Sequence, residues 1–142
     1  MEKYSKVLSI DYGSKRIGLA ISDELRMLAR PIGFLDNTNR LQKDILALVE
    51  KEKVGIVLVG LPKTMSGTDS DFTRDVRTFA EKLFAKLDAK NIEHHFHDER
   101  LTSVMAQANI LQQGLSKSKR EEKHRHDQEA ACIVLQEWLD SH

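Results

Sequence analysis

The chain has a single cysteine, Cys132, among 142 residues. One cysteine cannot form an internal disulfide, and it excludes a zinc site built from several cysteine ligands. No stretch approaches the roughly 18 unbroken apolar residues of a membrane-spanning helix. The first residues, MEKYSKVLSID, hold too short an apolar run for a signal peptide. These absences predict a protein of the reducing cytoplasm with no membrane partner.

The chain also lacks net charge, because 22 basic residues balance 22 acidic ones. The overall balance therefore gives no support for a nucleic-acid partner. The distribution along the chain is less even. Residues 114–127 read GLSKSKREEKHRHD, a mostly basic run that includes Lys119 and Arg120. Such a run is typical of a solvated loop, and Lys119 and Arg120 are also candidates for binding nucleic acid.

Apolar residues make up 40% and charged residues 31% of the chain, which favours one globular domain over residues 1–142. Apolar runs at 7–10 and 17–21 predict a hairpin, and a third strand is expected over 30–35. The next segment has helical spacing, with Asn37 as a plausible cap and an end near Lys53.

The second half of the chain alternates between strand and helix patterns. The β-branched run at 55–60 predicts a central strand, and the stripe Phe72, Val76, Phe79, Leu83 and Leu87 predicts a helix. A strand over 91–97, a short helix over 104–111 and a last helix over 128–139 complete the prediction. The sum is an α/β fold: a mixed five-stranded sheet, three antiparallel strands and then two parallel ones, with helices on both faces.

Carboxylates stand at the predicted ends of two strands. Asp11 ends the first strand, and Asp98 and Glu99 end the fifth. In open α/β sheets, ligands bind at the carboxyl ends of the strands. Both places are therefore expected at the edge of the sheet where a ligand would bind.

A third carboxylate, Asp127, begins an apolar helical stripe. Residues of this stripe follow at +3, +4, +7, +8 and +11, namely Ala130, Ala131, Val134, Leu135 and Trp138. Asp127 is either the N-cap of the last helix or a ligand that faces the sheet. Three acids at one edge without cysteine predict a hard cation, Mg²⁺ or Mn²⁺, and two-metal sites of this kind hydrolyse phosphodiester bonds.

Four motifs carry a resemblance to a known family. They are IDYGSKRIGLAISD at 10–23, GLPKTMSG at 60–67, HDERLTS at 97–103 and HDQEAACIVLQEWLD at 126–140. Together they resemble the YqgF/RuvX family, Holliday-junction-resolvase-like nucleases of the RNase H-like superfamily. The resemblance implies an RNase H-like fold and a metal-dependent nuclease. By position it implies Asp11, Glu99 and Asp127 as catalytic residues and metal ligands, with Asp98 as a helper.

The same resemblance implies contacts to nucleic acid. In the hairpin turn these are Lys15 and Arg16, and in the third motif they are Arg100, Thr102 and Ser103; an Arg fork and hydroxyl groups suit phosphate oxygens. The activity that it implies is processing of the 5′ end of pre-16S rRNA in ribosome biogenesis. The alternatives are a Holliday junction resolvase acting on branched DNA and a non-catalytic nucleic-acid-binding module. A monomer or weak homodimer is expected.

Other interpretations of single features have less support. Asp11 before Gly13 also suits the actin-like kinases, but those enzymes need a second domain. His95 and His97 alternate on one strand, yet no second histidine pair has the spacing of a zinc site. His97 or His126 is a candidate for proton transfer. Residues that depart from the family motifs, Asp69, Asp71 and Glu129, are left without a predicted role.

Overall fold

The computed structural model describes residues 4–62, 69–98 and 119–142, and from 119 to 128 it describes the backbone alone. The strands are β1 (Lys6–Asp11), β2 (Arg16–Ser22), β3 (Ala29–Asp36), β4 (Val54–Leu61) and β5 (Glu93–Asp98). The helices in these ranges are α1 (Leu41–Glu52), α2 (Asp71–Asp88) and α3 (Lys119–Asp140). Each predicted element within the described ranges is present, with shifted ends.

The five strands form one mixed sheet in the order β3-β2-β1-β4-β5. β2 is antiparallel to both β1 and β3, while β4 is parallel to both β1 and β5. This confirms the predicted arrangement of three antiparallel strands followed by two parallel ones. It also brings the ends of β1, β3, β4 and β5 and the start of β2 to the same side of the sheet, the carboxyl edge.

Helices cover both faces of the sheet, as predicted. On one face, Leu8 and Ile10 of β1 belong to the core beneath α1 and α2. On the other, Val7 packs in a second cluster with Ala131 and Leu135 of α3. Successive residues of β1 thus alternate between two apolar layers. The same alternation determines on which face of the sheet the last residue of the strand lies.

The turn between β1 and β2 is tied to the end of β3. A Cβ atom on Gly13 would overlap the carbonyl oxygen of Arg16, so the turn requires glycine. Asn37 Nδ2 donates to the Gly13 carbonyl at 2.8 Å, and the Asn37 amide donates to the Lys15 carbonyl at 2.9 Å. The prediction that Asn37 caps α1 was wrong: the cap position is Arg40, which makes no side-chain capping bond. Asn37 instead stabilises the hairpin turn between β1 and β2 through these two hydrogen bonds.

The start of α2 is fixed by a capping box. Ser70 Oγ accepts from the Thr73 amide at 3.1 Å, and Thr73 Oγ1 accepts from the Ser70 amide at 3.1 Å. Thr73 Oγ1 also donates to the Pro62 carbonyl, at 2.5 Å, just after β4. The predicted apolar stripe is buried except at its first residue, Phe72, which is 39% exposed.

The last helix begins nine residues earlier than predicted, at Lys119 instead of 128. Asp127 therefore lies inside α3, and its interpretation as the N-cap was wrong. The basic run from Lys119 to Arg125 is helical and not a loop. The helix predicted over 104–111 lies outside the described residues. Within the described ranges, no helix has the length and apolar character that crossing a bilayer requires.

Candidate functional site

Three carboxylates end strands at the carboxyl edge. Asp11 is the last residue of β1, Asp36 of β3 and Asp98 of β5. The placement of Asp11 and Asp98 at strand ends was predicted, and the register agrees with it, since Asp98 pairs with Leu61 at the end of β4. The edge therefore carries negative charge from both sides of β4.

The two predicted strand-end acids lie on opposite faces of the sheet. Val7 of β1 belongs to the cluster under α3, and the two-residue period puts Asp11 on that face. On β5, His94 stacks on Phe84 of α2 at a ring distance of 4.0 Å, and the same period puts Asp98 on the face of α2. The alternation therefore separates Asp98 from Asp11 and gives no support to Asp98 as a helper.

The backbone of α3 runs over the Asp11 face toward the carboxyl edge. Its Gln136 side chain accepts from the Ala29 amide at 2.9 Å and donates to the Met27 carbonyl at 3.1 Å, at the start of β3. Ala29 pairs with Ser22, whose hydroxyl accepts from the Val7 amide, so Gln136 lies near the start of β1 as well. From Gln136 toward its N-terminus, the helix continues over the sheet, since Ala131 is fully buried in the cluster with Val7.

Position 127 lies on the side of α3 that faces the sheet, and Asp11 lies on the side of the sheet that α3 covers. Residue 127 also precedes the buried Ala131 by four positions, on the same helical face. Both positions are therefore turned toward the layer between α3 and the sheet.

The remaining predicted site residues are described in part or not at all. Lys15 is exposed in the hairpin turn, and Arg16 starts β2 with its guanidinium 5.7 Å from the Phe34 ring centroid. Lys119 and Arg120 begin the backbone of α3. Outside the described residues lie Glu99, Arg100, Thr102 and Ser103. Within the described part, no three His, Cys, Asp or Glu residues form a metal-binding group.

Two buried polar atoms on the α3 face of the sheet have no hydrogen-bond partner in the described chain: Ser9 Oγ and Arg16 Nε. Ser9 and Arg16 both lie on the face of α3, since each alternates in phase with Val7 or Ala20 of the cluster there. A buried polar atom without a partner is uncommon in native proteins and often indicates an unseen water or ion. The layer between α3 and the sheet is thus polar at this end.

Comparison with known proteins places the chain in a family. The sequence profile described as "RuvX: Holliday junction resolvase" matches residues 5–141. The chain belongs to the RuvX family. A relative from Maridesulfovibrio salexigens named "Putative pre-16S rRNA nuclease" is 42% identical over 94% of this chain and 97% of its own. A relative of the same name from Phocaeicola vulgatus is 39% identical over 96% of each chain.

Solved structures agree with the fold expected for a RuvX protein. RuvC of Thermus thermophilus in complex with a Holliday junction substrate superposes with a TM-score of 0.56 at 13% identity, over 91% of this chain and 90% of RuvC. The fowlpox virus Holliday junction resolvase gives 0.55 at 12% identity, over 96% and 98%. The RNase H-like fold implied by the four motifs is confirmed.

Glu129 is a RuvX residue that the sequence interpretation left without a role. Glu129 lies two positions beyond Asp127, which is about 200° around the helix. The helical period therefore predicts that the two side chains point in different directions, and no ligand role was assigned to Glu129. In the structure its Oε2 is shielded from solvent, and its charge reaches Cys132. Burial raises the pKa of the Cys132 thiol, and the negative charge of Glu129 raises it further. The burial of Glu129 Oε2 depends on tertiary packing around α3, which no sequence period encodes.

The two acids after the GLP motif bind arginines of α2. Arg77 donates to Asp69 through Nε at 2.7 Å and Nη2 at 3.3 Å, and these hydrogen bonds to the Asp69 carboxylate raise the pKa of Arg77. Asp71 pairs with Arg74 at 2.6 Å. Both acids thus lie at the start of α2, where the positive end of the helix dipole favours acidic side chains.

His97, a candidate for proton transfer, is engaged by α3. Its Nε2 lies 3.2 Å from Glu137 Oε2, which connects β5 to the C-terminal half of the helix. Glu137 is ten residues from Asp127, or about 15 Å along the helix axis. The contact gives His97 a structural function, and it directs Nε2 to a residue distant from position 127.

Proposed function

We propose that this protein is a metal-dependent nuclease that hydrolyses phosphodiester bonds near the 5′ end of precursor 16S rRNA. The observation that carries the proposal is the position of Asp11, at the carboxyl end of β1 and on the face over which α3 runs. Family membership and the names of relatives 42% and 39% identical support the activity and favour RNA as the substrate.

Asp11, Glu99 and Asp127 would hold the cation through carboxylate oxygens, the ligands that Mg²⁺ and Mn²⁺ prefer. The polar character of the layer between α3 and the sheet, where Ser9 Oγ and Arg16 Nε lack partners in the described chain, fits a charged group at this edge. A bound cation would supply a water of lowered pKa and neutralise charge on the phosphate.

The chain's own basic residues would position the substrate. Lys15 is exposed in a turn that Gly13 and Asn37 hold rigid, so its charge stands at the carboxyl edge beside β1. Arg16 follows it at the start of β2. Contacts of this kind position a nucleic-acid backbone without reading its sequence. A phosphate bound at the turn would lie near Asp11, which is four residues from Lys15.

Two pairs of variants test the proposal. Asp127→Asn is compared with Asp140→Asn, an exposed acid of the same helix, and Asp11→Asn with Asp36→Asn, at the end of β3. Cleavage of a precursor-rRNA leader and of a four-way DNA junction is measured with Mg²⁺ and with Mn²⁺. We expect Asp127→Asn and Asp11→Asn to lower the rate at least about a hundredfold, and the controls to retain it.

The outcomes separate the alternatives. Cleavage of the junction alone would show that branched DNA is the substrate and that the RNA assignment is wrong. Binding of either nucleic acid without cleavage in both metals would favour the non-catalytic module. Activity that survives Asp127→Asn, or the absence of metal binding by calorimetry, would contradict the proposed site itself.

A further inference from the structure

A cavity of about 370 Å³ opens beside the carboxyl edge, on the face opposite to α3. Its size is within the range of about 300–1,000 Å³ that small-molecule sites occupy. Segments that meet there supply its walls: Tyr12 after β1, Thr38 and Asn39 after β3, Gln42 of α1, and Phe79 and Lys82 of α2. We call it the Tyr12 cavity. None of these residues belongs to the proposed metal site.

Tyr12 gives the cavity a fixed aromatic surface. Its ring packs on Phe79 at a centroid distance of 4.6 Å and approaches Phe72 at 6.1 Å. The tyrosine is half-buried, so the ring is held by α2 while it also lines the cavity. A rigid, partly open ring of this kind is what unpaired bases stack on in proteins that bind single strands.

The polar wall suits an uncharged ligand with hydrogen-bonding edges. Asn39 and Gln42 supply amides, and the two charged residues of the described lining, Asp75 and Lys82, have opposite signs. Gln42 Nε2 donates to the Phe79 carbonyl at 3.4 Å, whereas Gln42 Oε1 is buried without a partner in the described chain. Rotation about the broad terminal torsion, which would break the long Nε2 bond to Phe79, would turn this acceptor to the cavity, where an N–H donor would pair with it.

Position connects the cavity with the proposed chemistry. Tyr12 directly follows Asp11, and the Cα atoms of neighbouring residues are about 3.8 Å apart. Asp11 lies on the face of α3 and Tyr12 contacts the opposite core. Both residues stand where the sheet ends, so a nucleotide with its phosphate at Asp11 would extend its base over this edge to the Tyr12 cavity.

We propose that the Tyr12 cavity binds one unpaired nucleobase of the RNA, stacked on Tyr12, next to the phosphate at the candidate site. The inference rests on the proposed function and adds a requirement to it: the substrate must be single-stranded beside the cleaved bond. The balanced charge of the lining favours a neutral heterocycle over a second phosphate. An aromatic ring and amide groups provide stacking and edge recognition, the two contacts by which proteins read unpaired RNA bases.

An abasic scan tests the inference. Single-stranded RNAs of the precursor leader, each with one abasic ribose, are titrated in Ca²⁺, which takes oxygen ligands as Mg²⁺ does. We expect one abasic position to weaken binding to the wild-type protein about tenfold, the loss of one stacked base. In Tyr12→Leu the intact and abasic RNAs should bind equally. Tyr4→Leu, which replaces a tyrosine before β1, should retain the tenfold difference.

Tyr12 also packs against the core, so its replacement could prevent folding, and circular dichroism would reveal this. Gln42→Met is therefore the second variant. It should reduce the abasic penalty as well. A scan in which no position weakens wild-type binding, or a penalty that both variants retain in full, would overturn the inference. A position-dependent penalty in a protein that cleaves no RNA would contradict the proposed function and leave the base site standing.

Discussion

Replacing Thr73 by valine removes one hydroxyl group and keeps the shape of a fully buried side chain. That hydroxyl donates to the Pro62 carbonyl and accepts from the Ser70 amide, so the substitution leaves two backbone groups without their partner. Each net hydrogen bond contributes about 1 kcal/mol, and a buried backbone group left without a partner costs about 1–3 kcal/mol. We expect the free energy of unfolding to fall by about 2–3 kcal/mol.

Urea unfolding followed by circular dichroism measures this loss, provided that the slope of the transition is unchanged. Thr78→Val is the matched control: Thr78 is exposed on the same helix and donates only to the Arg74 carbonyl, at 3.0 Å. Its replacement should change the unfolding free energy by no more than about 0.5 kcal/mol. Equal effects of the two substitutions would refute the connection of α2 to the end of β4 through Thr73.

Two further predictions concern ionisation. The pKa of Asp23 is lowered by hydrogen bonds from the Leu28 and Met27 amides, so its contribution to stability is complete above its unfolded pKa and is lost as the pH falls through the lower folded value. Asp23→Asn should therefore remove part of the pH dependence of unfolding below about pH 4, and an unchanged acid profile would contradict this. Glu129→Gln should lower the pKa of Cys132 and speed its alkylation at mildly alkaline pH, because a negative charge near the thiol is removed. A rate equal to that of the wild type would show that the two residues do not interact.

The strands and the apolar stripe of α2 could be predicted because burial repeats with the period of the element. Val7 and Leu8 alternate between two cores, and Val76 and Leu83 follow the helical period. The start of α3 could not be predicted this way, since its first turns are polar and show no apolar period. Helix propensity was the better indicator there, because Lys119, Arg120 and the residues after them are strong helix formers.

The candidate site was predictable where chemistry and strand ends coincide, as at Asp11. It was not predictable where a role depends on tertiary contact. Asn37 has the composition of a cap, yet the nearby Gly13 carbonyl takes its side chain. The sequence places Tyr12 in a hairpin turn and predicts no further role for it. Its ring lines a cavity only because α2 packs against it.

The position of α3 also has a consequence for synthesis of the chain. This helix leaves the ribosome after all five strands of the sheet, and it covers Val7, Ala20 and Leu58 on one face. Domains fold as units, and apolar surface exposed before completion makes a nascent chain prone to aggregate. Because Asp127 arrives with the same helix that covers this face, the proposed catalytic centre can assemble only when the sheet is protected. A nascent chain without α3 would therefore be both vulnerable and inactive toward the RNA of the ribosomes around it.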